Sequence, residues 1–198
     1  TSAMESTSAK SSRKALVRTL AQSLQGEILA VDLFPEFLTK LEERLQSQTL
    51  TASVTPICAS MDQLPFKAGT LDLIWSEGAV YNMGFQKGVT YWKDFLKSGG
   101  LLAVSEISWT TSQRPQELEE FWNGEYPEMD TASGKIKVLE DAGYKVLGHF
   151  ILPENCWMEN YYEPLLKSHP RFLKEFGNCD KTHKIVATDL QEVEFYQK

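Results

Sequence analysis

The sequence predicts an α/β fold, a doubly wound and mostly parallel sheet with a small helical insert. Two observations predict it. Short apolar runs of strand length alternate with segments whose apolar residues recur at helical spacing. The residues that close those runs are acidic or small and polar, as in sheets that bind ligands outside the carboxyl ends of their strands.

The elements follow in order. Ile28 to Val31 is an apolar run between Gly26 and Asp32, short enough for a buried parallel strand. Phe37, Leu38, Leu41 and Leu45 then recur at helical spacing, with Pro35 suited to a first helical turn. "TASVTPICA" and "TLDLIWSE" read as the second and third strands. In "QKGVTYWKDFLK", Val89, Trp92, Phe95 and Leu96 share one helix face, and "SGG" follows as the stop. "LLAVSEISW" reads as the fourth strand. "KIKVLEDAG" reads as a helix ending at Gly143, and "YKVLGHFILP" as a fifth strand. Residues 113–133, rich in Trp, Tyr, Pro and Glu, break the alternation and predict the helical insert. Residues 1–12 read as a disordered or vector-derived tail, 13–198 as one domain, and 158–198 as its mostly helical last part.

Composition excludes several classes. The 198 residues suit one sizeable core. The net charge of −7 comes with no basic block to follow a phosphate backbone, so no nucleic-acid partner is expected. No apolar run has the length of a membrane span, and the first residues lack the apolar stretch of a secretory signal. Cys58, Cys156 and Cys179 are widely spaced and odd in number, which fits a reducing cytoplasm and neither a disulfide framework nor a zinc site. His149, His169 and His183 have no metal-ligand spacing, so no metal is expected.

Each strand end offers two readings. Asp32 can accept both hydroxyls of a ribose, or simply start a turn. In "ASMDQLPF", Ser60 and Asp62 can meet the polar edge of an adenine with Met61 on its face, or form a polar loop with Met61 filling the core. In "WSEGAVYNMG", Glu77 and Gly78 stand where a reacting group can come close, and Glu106 ends the fourth strand. Recurrence at successive strand ends favours the functional reading.

"ILAVDLFPEFLTKLEER", "MDQLPFKAGTLDLIWSEGAVYNMG" and "LKSGGLLAVSEISW" together resemble the class I S-adenosylmethionine-dependent methyltransferases, in particular the type 11 branch, over about Thr19 to Pro153. The resemblance implies S-adenosylmethionine as cofactor. It implies that Asp32, with Leu33 beside it, binds the ribose. Ser60, Met61 and Asp62 would surround the adenine, and Ser76 and Glu77 would line the methionine end. Many relatives carry a small residue where this chain has Phe34, and an aspartate where it has Ser60.

One departure is larger. The family places a strand and a glycine-rich turn ahead of the ribose acid, by about 20 residues in the analogous dinucleotide fold. Here "KSSRKALV" occupies that place, and Gly26 is the only glycine before Asp32. "SSRKAL" resembles the helix that precedes the missing strand and "RTLAQSLQG" the end of the helix that follows the turn. A discontinuity between Ala15 and Thr19 is therefore expected. Relatives also continue into a final strand, which has no counterpart after "EVEFYQK".

The expected activity is methyl transfer to a small-molecule acceptor by in-line displacement. Glu77 is the candidate base and Tyr81 the candidate orienting hydroxyl. Trp109, Phe121, Trp122 and Tyr126 either cover the acceptor or pack the insert. A homodimer is the assembly to test. Two other classes compete: a non-catalytic binding protein of the same fold, on the strength of the missing turn, and a nicotinamide-dependent oxidoreductase, because an acid at that strand end also binds dinucleotide ribose.

Overall fold

The structure is a computed structural model and describes residues 16–198. Its elements are α1 (16–23), β1 (Gly26–Asp32), α2 (Pro35–Leu45), β2 (Ala52–Cys58), β3 (Leu71–Ser76), α3 (Phe85–Lys93), β4 (Leu96–Val104), β5 (Ser108–Trp109), α4 (Gln116–Glu125), β6 (Asp130–Thr131), α5 (Ala132–Asp141), α6 (Glu154–Trp157), α7 (Glu163–Phe176) and α8 (Asp180–Gln197). A short 3-10 turn, Val80–Met83, precedes α3, and a π-helical turn, Met158–Tyr162, joins α6 to α7. The α/β class with parallel strands is as expected. Among the described residues the strands pair two by two: β1 with β2, β3 with β4, β5 with β6. The pairs β3·β4 and β5·β6 are parallel.

The chain divides into two compact units. Among the described residues, one unit holds 16–30, 34–57 and 150–198. In it Ala30, Leu41 and Leu45 form a core with Val54 against them, which is why the apolar face of α2 has its spacing. A separate cluster there gathers Tyr162, Leu165 and Val193 from the last helices. His169 on α7 meets Asp189 on α8 through Nε2 and Oδ2 at 2.9 Å.

The other unit holds residues 31–33 and 58–149, and every candidate site residue. Its core is Val80, Phe85, Val89 and Trp92, with Ile74, Leu102 and Val138 packed around them. Helix α3 is thus held between the β3·β4 pair and α5. Lys93 Nζ reaches the carbonyl of Ala142 at 2.6 Å, and the Tyr144 hydroxyl donates to the carbonyl of Val89 at 2.8 Å.

Three expectations are corrected. Helix α3 ends at Lys93, before Phe95 and Leu96, although both continue its apolar spacing. The amides of Gly69 and Thr70 bond the carbonyls of Asp94 and Phe95, each at 2.9 Å, and draw that stretch to β3. β4 therefore starts at Leu96, with an irregularity between the pairs Leu71–Leu96 and Leu73–Leu101 where Gly99 takes φ +79°. The segment 144–153 is not a strand: it has no regular structure, and Leu147, Phe150 and Ile151 are exposed. A strand needs a ladder partner, and no described strand offers one. Finally, α1 runs unbroken through Val17, Arg18 and Thr19, with the Leu24 amide bonded to the carbonyl of Leu20 at 2.8 Å. The expected discontinuity is not found there, and the remainder of that expectation falls on residues outside those described.

Candidate functional site

Strand ends place the candidate residues. At the end of β1, Asp32 is half-buried and Leu33 exposed. The Ala59 amide donates to the carbonyl of Asp32 at 3.1 Å, which sets the loop after β2 beside it. In that loop Ser60 Oγ donates to Asp62 Oδ1 at 2.5 Å, and the Gln63 amide closes a turn onto the carbonyl of Ser60 at 3.1 Å. The side chain of Met61 packs on the core around Val80 and Trp92. Helix α3 grips the loop by its main chain: Trp92 Nε1 donates to the Met61 carbonyl at 2.9 Å, and the Leu64 amide donates to the Tyr91 hydroxyl at 3.0 Å.

At the end of β3, the carbonyl of Ser76 accepts from the Ser105 amide at 3.0 Å, the last rung toward β4. Glu77 follows, and its Oε1 accepts the indole N–H of Trp75 at 3.1 Å. Gly78 turns the chain with φ +51°, a conformation that costs a residue with a Cβ about 1–2 kcal/mol. Its amide donates to Ser105 Oγ at 2.9 Å. Tyr81 stands on the 3-10 turn, 42% exposed, its ring edge-on to Tyr126 with centroids 6.1 Å apart.

Beyond β4 lies a network that only partly follows from the sequence. Lys135 Nζ donates to Glu106 Oε1 at 2.8 Å and to the Tyr126 hydroxyl at 3.1 Å, and the Tyr126 hydroxyl itself donates to Glu106. The ammonium also sits 4.7 Å from the ring centroids of Phe85 and Tyr126. Burial pushes the Glu106 carboxyl above its ordinary range, against the lowering effect of Lys135 and Tyr126. Burial first, then the hydrogen bond to Glu106, hold the Tyr126 phenol well above its ordinary value. Tyr126 thus packs inward. Trp109 lies under the Arg114 guanidinium at 4.7 Å, and Phe121 meets Trp122 edge-on at 5.2 Å.

Two residues of this region were not singled out by sequence reasoning. Lys135 had a signal: with Val138, Leu139 and Ala142 it occupies one helical face at i, i+3, i+4 and i+7, so a lysine stands on the apolar face of α5. Glu128 had none, because its partners lie 43 and 42 residues away: its Oε2 accepts the amides of Phe85 at 2.7 Å and Gln86 at 3.3 Å.

Two clefts open in this unit. One, of about 280 Å³, is lined by Phe85, Pro127, Glu128, Met129, Asp130 and Lys135 among others. The other, broader and about 600 Å³, is lined by Asp62, Gln86, Lys87, Thr90, Tyr91 and Glu128. Of the strand-end candidates, only Asp62 lines either. Among the described residues there is no cluster of His, Cys, Asp and Glu suited to a metal, and no helix long and apolar enough to cross a membrane. Cys58, Cys156 and Cys179 are free and exposed.

A family model described as a methyltransferase domain matches residues 12–104, the span that contains the first three strand ends. The fold is similar to that of the cyclase SpnF, at 13% identity over 94% of this chain and 75% of that one, with a TM-score of 0.64. It is similar as well to a protein from Galdieria sulphuraria provisionally described as a sarcosine dimethylglycine methyltransferase, at 15% identity over 94% and 78% of the two chains and a TM-score of 0.59. A third similar structure is phosphoethanolamine N-methyltransferase 2 of Haemonchus contortus in complex with S-adenosyl-L-methionine, at 11% identity over 94% and 49%, TM-score 0.59. A comparison with curated proteins finds no match. Residues 12–104, just under half of the chain, thus match a methyltransferase domain, a class that takes S-adenosylmethionine as its cofactor.

Proposed function

We propose that the chain transfers a methyl group from S-adenosylmethionine to a small-molecule acceptor by in-line displacement. The observation that carries this is the gathering of Asp32, the Ser60–Asp62 turn and the Ser76–Gly78 turn in one compact unit, each at the carboxyl end of a strand. The donor set suits the cofactor's polar groups. Asp32 offers a carboxylate for two ribose hydroxyls. Asp62 keeps Oδ2 for an adenine amino group while Oδ1 takes the Ser60 hydroxyl. Backbone around Gly78 gives close approach at the methionine end. The backbone cradle that the family builds from glycine has no counterpart in residues 16–25.

The sulfonium carbon of the cofactor is already electrophilic when bound, so the protein's task is alignment more than activation. Glu77 is the proposed base. Trp75 occupies its Oε1 and leaves Oε2 for the proton that a weakly nucleophilic acceptor must lose. Tyr81, exposed on its turn, orients the acceptor.

A second reading, a binding protein of this fold without turnover, is favoured by one observation: α1 leads into β1 with no glycine ahead of Gly26. Titration calorimetry with S-adenosylmethionine and S-adenosylhomocysteine separates the two. Heat and a thermal shift are expected. Neither at millimolar ligand overturns the proposal and leaves the second reading.

A further inference from the structure

Helix α3 has an unusual cap. Its N-cap residue, Gly84, has no side chain with which to accept the first amides of the helix, and the α3 cap carries no side-chain hydrogen bond of its own. The acceptor arrives from far along the chain: Glu128 takes the amides of Phe85 and Gln86. A carboxylate at a helix N-terminus also meets the positive end of the helix dipole. Gly84 makes the room. A Cβ there would lie 2.7 Å from Glu128 Oε1, and the residue holds φ +87°.

The other end of α3 carries the two groups that grip the loop after β2. They bind main-chain atoms, the Met61 carbonyl and the Leu64 amide, so they set the path of the loop whatever its side chains do. The stretch that presents Glu128 is itself anchored on both sides. Tyr126 before it and Lys135 after it both bond Glu106, and the neighbouring Ser105 holds the Gly78 turn. The segment is thus tied to the end of β4 through Glu106, and through α3 to the loop after β2.

We infer that Glu128 is a positioning residue for the adenine-side loop, acting through α3. This rests on the proposed cofactor site. It also implies that a ligand that draws Glu128 off the amides of Phe85 and Gln86 weakens cofactor binding, and that the cofactor weakens that ligand by the same factor.

The test uses the full chain with Glu128→Ala, and Glu128→Gln as the conservative control, because a glutamine carbonyl can accept the same two amides. Amide hydrogen exchange is followed in residues 60–64, in α3 and in β3. In Glu128→Ala, which loses both amide bonds, exchange at 60–64 is expected to rise roughly tenfold, the lower end of what charge-assisted hydrogen bonds are worth, while β3 stays within about twofold. Glu128→Gln should remain near wild type. S-adenosylhomocysteine should bind about tenfold more weakly to Glu128→Ala. Faster exchange confined to the first turn of α3, or equal acceleration throughout the unit, overturns the coupling. So does unchanged affinity of the alanine variant where wild type binds. If wild type itself binds no S-adenosylhomocysteine, the cofactor reading fails, and the exchange data still decide whether Glu128 controls the loop.

Discussion

Lys135 and Glu106 form an ion pair at 2.8 Å in which both side chains are only 7% exposed. Such a pair is poor evidence for added stability, because removing two charges from water costs about as much as their attraction returns. Breaking it is another matter. Lys135→Met is expected to destabilise the protein by about 3–5 kcal/mol by leaving a buried carboxylate without its countercharge, with only the Tyr126 hydroxyl to bond it. The double variant Lys135→Met with Glu106→Leu should recover much of the loss, since an apolar replacement of both partners is often neutral. Urea unfolding of wild type and the two variants measures both figures.

The same carboxyl predicts a pH dependence. Glu106 is raised above its ordinary 4.5, chiefly by burial. The folded state then holds its proton more tightly than the unfolded chain, so this contribution is fully present below the unfolded value and fades as pH rises through the folded one. The stability of wild type relative to Glu106→Gln should therefore decline as pH climbs above the ordinary glutamate range. Melting temperatures of both proteins across pH 4–8 check it, and a gap that widens with pH contradicts the assignment.

Gly78 and Gly84 both hold positive φ, and they should respond differently to alanine. At Gly78 nothing lies within 4 Å of an added Cβ, so only backbone strain of about 1–2 kcal/mol applies. At Gly84 the added carbon also meets Glu128 Oε1 at 2.7 Å. Gly84→Ala should cost more, and should accelerate amide exchange at the start of α3 where Gly78→Ala does not.

For the cofactor, Asp32→Ala should weaken binding more than Glu77→Ala. An acceptor for two hydroxyls is lost in the first, and hydrogen bonds to a charged group are worth about 1.5–3 kcal/mol, roughly tenfold to a hundredfold. Glu77→Ala should act on turnover instead. Equal losses of affinity by calorimetry would contradict this division of roles.

Much of this was legible in the chain, for identifiable reasons. The helix from Pro35 declares itself by spacing and by a proline at its first turn, and Gly143 marks the end of α5 by its left-handed conformation. Asp32, Ser60 and Glu77 are visible because strand ends can be found from apolar runs. The end of α3 was not legible, since Phe95 continues a helical pattern and only the pairing of Asp94 and Phe95 with the turn before β3 decides against it. Nor was the role of Glu128, which exists only once the fold brings it to Phe85. The segment 144–153 has strand composition, but composition cannot supply the neighbour that a strand needs.

The bond from Trp75 to Glu77 gives the protein an optical gauge. Trp75 is 44% exposed, so a soluble quencher reaches its indole, whereas Trp92 at 3% is shielded. The exposed indole emits beside the carboxylate proposed to take a proton, and its N–H is directed at Oε1. With the partly exposed Trp109, Trp122 and Trp157 replaced by phenylalanine, an event that draws Glu77 away from Trp75 changes the quenchable part of the emission and leaves the Trp92 part unchanged. The state of that carboxylate can thus be followed by fluorescence before an acceptor has been identified.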